Sequence, residues 1–228
     1  MPDKDALTPR VFLIRHGETE WSQLGRHTGT TEIPLTAHGE AQVLNTARII
    51  YGPGKLIDPR RVLKVWVSPR RRAQRTYELL KGESEGTYEV IEALAEWNYG
   101  EYEGLKPCEI RKLRKTRGLD NDRPWDIWRD GCMGGESPDE VTARIDNLIQ
   151  QVKALQAPHM KDVEPKDIVL VAHGHSTRAF AKRWLGFDLS TQFDLMMEPG
   201  GVGVLSYQHG NIDEPALVLG VALPLTHN

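Results

Sequence analysis

Short apolar runs alternate along this chain with segments whose apolar residues recur at helical spacing. "RVFLI" (10–14), "RVLKVWVS" (61–68) and "DIVLVAHG" (167–174) are near-continuous apolar stretches, the pattern of strands buried on both faces. "LTAHGEAQVLNTARII" (35–50) sets Ala41, Leu44, Ala47 and Ile50 on one helical face. "PRRRAQRTYELL" (69–80) reads as a helix with Pro69 suited to its first turn. "YEVIEALAE" (88–96) reads as a strand and then a loop, and "EIRKLRKTR" (109–117) as a short basic helix. "ESPDEVTARIDNLIQQVKAL" (136–155) opens on a capping box, Ser137 with Glu140, and Pro138 in the first helical position. "STRAFAKRWLG" (176–186) is a helix closed by Gly186, and "GVGVLSY" (201–207) and "PALVLGVAL" (215–223) end the chain as strands.

Strand and helix in alternation predict an α/β fold with a mainly parallel sheet covered on both faces. The 228 residues suit one large domain spanning 1–228. The polar, Arg-rich stretch at about 101–136, with Trp125 and Trp128, reads as an excursion from the sheet, either a lid or a plain surface insertion.

Composition narrows the field of functions. A net charge of −3 argues against a dedicated nucleic-acid binder but leaves room for a small anion in a local basic pocket. The two cysteines, Cys108 and Cys132, make neither a metal spacing nor a disulfide framework. The N-terminus is polar and acidic, and no apolar run approaches membrane-spanning length, so a cytoplasmic protein with no membrane partner is expected.

Two of the buried strands share an ending. One stops on Arg15-His16-Gly17 and the other on Ala172-His173-Gly174. Ligands of open parallel sheets bind at the carboxyl ends of the strands. Two such histidines on central strands would meet in one crevice. Either His-Gly pair alone is turn chemistry more often than catalysis, but together they point to a site. A phosphate there needs fixed cations. Arg15 is one, and "SPRRRAQRT" (68–76) offers Arg70, Arg71, Arg72 and Arg75, among which spacing does not choose. The loop "HTGTTEIPLT" (27–36) has backbone N–H groups that could cradle an anion. Glu96, among aromatics and glycines, is a candidate proton donor.

"LIRHGETEW", "HTGTTEIPLTAHGEAQ", "SPRRRAQRT", "LAEWNYGEYEG" and "VLVAHGHS" together resemble the histidine phosphatase superfamily, in its phosphoglycerate-mutase-like branch. The resemblance covers nearly the whole chain. It implies a three-layer α/β/α sandwich, a phosphohistidine intermediate, and neither metal nor cofactor. It assigns His16 as nucleophile, Arg15 and Arg72 as phosphate arginines, Glu96 as proton donor and His173 as the second histidine at the phosphoryl group. It sets Thr28, Gly29 and Tyr99 on the substrate side, with Gly174 and His175 beside His173. Ser22 stands where the family often has Asn, a shorter reach to phosphate.

A phosphatase, a mutase or a non-catalytic binding module could use this fold. The retained His16, Glu96 and His173 disfavour the module, and the length with "GGES" (134–137) favours a phosphatase. "RGLDNDRPWDIWRDGC" (117–132) and "GGVGVLSYQHGNIDEPAL" (200–217) resemble the fungal sedoheptulose-1,7-bisphosphatase group, although the segment between Leu185 and Gly200 is much shorter than in that group. The expected partner is a phosphorylated sugar, with Arg114, Arg117, Arg123, Arg129 and His209 as candidates for a second phosphate. The oligomeric state stays open.

Overall fold

A computed structural model describes residues 8–84, 86–163 and 166–220. Six strands form one sheet: β1 (Val11–Arg15), β2 (Val62–Val67), β3 (Glu89–Val90), β4 (Asp167–Ala172), β5 (Val202–Tyr207) and β6 (Pro215–Leu217). Their order is β3-β2-β4-β1-β5-β6. The pairs β1·β4, β2·β4 and β2·β3 are parallel, while β5 runs antiparallel to both β1 and β6. Within 88–96, expected as a strand and then a loop, the strand is the two residues of β3, and residues 221–223 of the expected last strand lie outside the described residues.

Alternation along the strands builds two cores. Val11 and Leu13 of β1 join Ile168 and Leu170 of β4 on one face, while Phe12 and Ile14 join Val169 and Val171 on the other. Among the described residues seven α-helices accompany the sheet: α1 (Glu20–Gln23), α2 (Ala37–Ile50), α3 (Arg71–Lys81), α4 (Pro107–Thr116), α5 (Ile127–Asp130), α6 (Pro138–Gln156) and α7 (Gly174–Trp184). Residues of α4 to α7 pack on the first face and residues of α2 and α3 on the second, which gives three layers. The α6 capping box forms as the sequence predicts, with Ser137 Oγ accepting from Glu140 N and the Glu140 carboxylate accepting from Ser137 N. Pro69 lies outside α3, whose N-cap is Arg70.

The 101–136 excursion is anchored in the first core. Tyr102, Ile110, Trp125 and Ile127 are buried there. Both cysteines are free. No helix among the described residues is long and apolar enough to cross a membrane.

Candidate active site

Register creates the site. Arg15 pairs with Ala172 across the central β1·β4 ladder, so the residues that follow, His16 and His173, leave the sheet side by side. Their rings meet edge to face with centroids 5.1 Å apart. Gly17 has a packing reason. A Cβ there would stand 2.8 Å from Gly39 O and 2.9 Å from Val43 Cγ2, so the missing side chain lets the start of α2 close against the Arg-His-Gly turn.

The hydrogen bonds set the ring tautomers. His16 Nδ1 lies 2.7 Å from the Gly17 carbonyl, which only accepts, so the proton sits on Nδ1. Nε2 keeps its lone pair and has no hydrogen-bond partner among the described residues. Burial, then Arg72, then Arg15 hold the His16 pKa well below 6.5, so the ring is neutral. His173 is arranged the other way. Arg72 Nε donates to its Nδ1 at 3.2 Å, which leaves the proton on Nε2, 2.6 Å from Ser68 Oγ. Burial and the same arginine hold His173 neutral too.

The arginines divide into two sets. Arg72 is fully buried and donates to the carbonyls of Thr28, Gly29 and Thr31 as well as to His173. Arg15 donates from Nη1 to Met197 O at 2.6 Å, and its buried Nε has no partner among the described residues. The short 185–200 segment therefore backs Arg15 directly. Of the other three, Arg75 pairs with Glu40 and the Arg71 backbone N–H donates to Glu32, while Arg70, at the N-cap position of α3 with no side-chain cap bond, adds positive charge felt by His173 and Arg72.

Glu96 sits at the N-terminus of α7. Its carboxyl group accepts from His175 N at 3.0 Å and Ser176 N at 2.9 Å. Tyr99 Oη is 2.7 Å from His175 Nδ1, and burial pushes the Tyr99 pKa well up and the His175 pKa well down. Gly174 lies along the Arg15 guanidinium: a Cβ there would stand 3.5 Å from Arg15 Cζ.

These residues line a cavity of about 340 Å³, whose wall includes Arg15, His16, Ser22, Thr28, Glu96, Tyr99, Gly174 and His175. Arg26, His27 and Arg178 also line it, and sequence reasoning missed all three. Arg178 was within reach, since it falls one helical turn after Gly174. Ser68 was missed too, although it heads the "SPRRR" motif. Ser22 lines the cavity while its hydroxyl accepts from Thr19 N in a capping box of α1 and donates to Thr19 O.

Three expectations fail. The 27–36 loop does present amides to an anion, but the anion is internal: the Glu103 carboxylate accepts from Gly29 N and Thr31 N. His209 is taken away from the site because β5 is antiparallel to β1, so the residue after it lies beyond the opposite end of the sheet, paired with Glu214. The excursion arginines have acidic partners of their own: Arg114 with Asp120, Arg117 with Glu101, and Arg123 and Arg129 with Asp130. No group of three or more His, Cys, Asp or Glu among the described residues could hold a metal ion.

The sequence profile of the histidine phosphatase superfamily (branch 1) matches residues 11–217. Sedoheptulose 1,7-bisphosphatase of Saccharomyces cerevisiae is 37% identical, with 94% of this chain and 93% of that protein covered. An acid phosphatase of Mycobacterium tuberculosis is 37% identical, with 88% of each covered. The solved structure of an open reading frame from Mycobacterium tuberculosis superimposes with a TM-score of 0.72 at 33% identity, covering 92% of this chain and 96% of that one.

Proposed function

The chain belongs to the histidine phosphatase superfamily and is a phosphatase, and from that premise we propose that it hydrolyses a sugar bisphosphate, sedoheptulose 1,7-bisphosphate first among them, through a phosphohistidine on His16. The observation that carries this reading is the open Nε2 of a neutral His16 beside the unpartnered Nε of Arg15. Such a nitrogen attacks phosphorus in line, and phosphoryl transfer asks mainly for positioning and charge stabilisation. Arg15 donates to an equatorial oxygen. Arg72, after burial the strongest influence on His16, adds positive potential at the same point. Glu96 protonates the leaving sugar oxygen and then takes a proton from the water that attacks phospho-His16. In this reading the arginines supply the positive charge and no metal is needed.

The bisphosphate preference rests on Arg26 and Arg178, cations on the cavity wall besides Arg15. They replace the excursion arginines as the candidate clamp for the distal phosphate. The yeast relative named for a sugar bisphosphate supports the same choice. The test is a panel of sugar mono- and bisphosphates in EDTA, scored by phosphate release. Bisphosphates hydrolysed about ten- to hundred-fold more efficiently than their monophosphates are expected, the effect of one retained charge-assisted contact. Equal kcat/KM across each pair would overturn the preference.

A further inference from the structure

The excursion carries two tryptophans, and they differ. Trp125 is buried and donates its Nε1 to Gly131 O, a packing role. Trp128 is half-buried, and its Nε1 has no hydrogen-bond partner among the described residues. Its ring instead meets two cations of α7. The Arg178 guanidinium carbon is 5.3 Å from the ring centroid, and Lys182 Nζ is 4.6 Å from it. Residues 178 and 182 stand one helical turn apart.

We propose that Trp128 is a positioning residue that holds Arg178 at the mouth of the site and so sets the preference for a substrate with a second phosphate. The inference rests on the bisphosphate reading above. Arg178 needs such support. Its Nε donates to Gly174 O at 2.8 Å, but its terminal nitrogens have no partner among the described residues. Arg15 is close enough for the two like charges to repel each other, which works against a fixed Arg178. It has somewhere to go. Besides the site cavity it lines a second one of about 120 Å³, whose wall carries Asp126 and Asp194 and also the Trp128 ring, against which the guanidinium now lies. The indole face opposes that retreat. The ring is itself braced: Trp97 packs against it with centroids 5.7 Å apart, and Lys182 is tied down by the carbonyls of Leu189 and Thr191 at 2.9 Å each. The excursion thus serves the site through an aromatic ring rather than through its arginines.

The experiment compares kcat/KM for fructose 1,6-bisphosphate with that for fructose 6-phosphate in the wild type, Trp128→Leu, Trp128→Phe, Arg178→Met and the Trp128→Leu/Arg178→Met double variant. Leucine keeps an apolar plug and removes the π face, whereas phenylalanine keeps a π face. We expect Trp128→Leu to lower the bisphosphate-to-monophosphate ratio ~5- to 20-fold, mainly through KM for the bisphosphate. Trp128→Phe recovers most of it, and the double variant matches Arg178→Met. Loss of activity on both substrates alike in Trp128→Leu, with a lowered melting temperature, would make the ring mere packing and overturn the inference. A further fall in the ratio when Trp128→Leu is added to Arg178→Met would overturn it as well. An unchanged ratio in Arg178→Met would overturn the inference alone, since Arg26 also lines the cavity, whereas a wild-type ratio near one would overturn the bisphosphate reading and the inference with it.

Discussion

Arg72 Nε donates to His173 Nδ1 at 3.2 Å, and that single bond fixes which nitrogen of the second histidine carries its proton. The proton is left on Nε2, facing Ser68 Oγ at 2.6 Å. Ser68 is fully buried, so its removal leaves an N–H with nowhere to point. Ser68→Ala should cost about 1–3 kcal/mol of stability, the penalty of a buried unsatisfied donor. It should also lower kcat about tenfold, because His173 packs against the ring of His16. Thermal unfolding and steady-state kinetics on one preparation check both. Unchanged kcat would show that the orientation of His173 does not matter.

His16→Ala should abolish turnover, since it removes the neutral, open Nε2 that makes the attack. Acid quench after mixing with 32P-labelled substrate should leave acid-labile label on the wild-type protein and none on the variant. Turnover of His16→Ala at a tenth of the wild-type rate or more would remove the covalent intermediate.

Four histidines of the site region share a depressed pKa, so stability should fall in acid. Burial is the largest cause for His16, His27, His173 and His175. Each is neutral in the folded chain and takes up a proton near pH 6.5 once unfolded. Below that pH the unfolded state binds more protons, so stability is fully present above about 6.5 and is lost as pH drops towards the folded values. Each group contributes up to about 1.4 kcal/mol per pH unit in that window. The melting temperature should fall by at least ~5 °C between pH 7.0 and 5.5. The fall should be smaller in His175→Gln, which removes one titrating ring. A flat profile would mean that these rings are charged in the folded state.

How legible was this site? The two histidines could be read because uninterrupted apolar runs mark central strands, and the first residue past such a run sits at the sheet rim. That reading needed only β1 and β4 to be neighbours, as they are. The choice of Arg72 among four arginines came from resemblance alone. Its burial depends on the carbonyls of Thr28, Gly29 and Thr31, some forty residues away in sequence. His209 was misread because the direction of a strand is not written in its apolar pattern: β5 reads the same either way, and it is the chain path through 185–201 that reverses it. The excursion arginines were misread because composition shows charge but not its partners, here Asp120, Glu101 and Asp130.

Gly29 tests the loop that carries Thr28. A Cβ there would lie 2.5 Å from Trp97 O and 2.9 Å from Glu103 Oε2. The first atom is backbone and cannot swing away, and the second belongs to the carboxylate that holds the loop amides. Gly29→Ala should therefore cost about 1–3 kcal/mol and raise KM by spoiling the cavity wall at Thr28. Urea unfolding with a Michaelis series reads both. A stable variant with unchanged KM would show that the loop adapts freely.

Arg26 and Arg117 give a paired test of where the second phosphate is held. Arg26 is half-buried and Arg117 exposed. Arg26 lines the cavity, and one Nη is held on Gly104 O at 2.5 Å, which leaves the other side of the guanidinium for a ligand. Arg117 is committed to Glu101 and touches Met133 Sδ. An exposed ion pair of that kind contributes little to stability, so its removal should leave both fold and kinetics within about twofold of wild type. Arg26→Met keeps the aliphatic stem and deletes the charge. It should lower kcat/KM for fructose 1,6-bisphosphate by about ten- to hundred-fold, the range of a charge-assisted contact of ~1.5–3 kcal/mol, and by much less for fructose 6-phosphate. If Arg117→Ala proves the damaging change and Arg26→Met the silent one, the distal clamp lies on the excursion after all. The cavity wall at Arg26 would then be no more than a passage to His16.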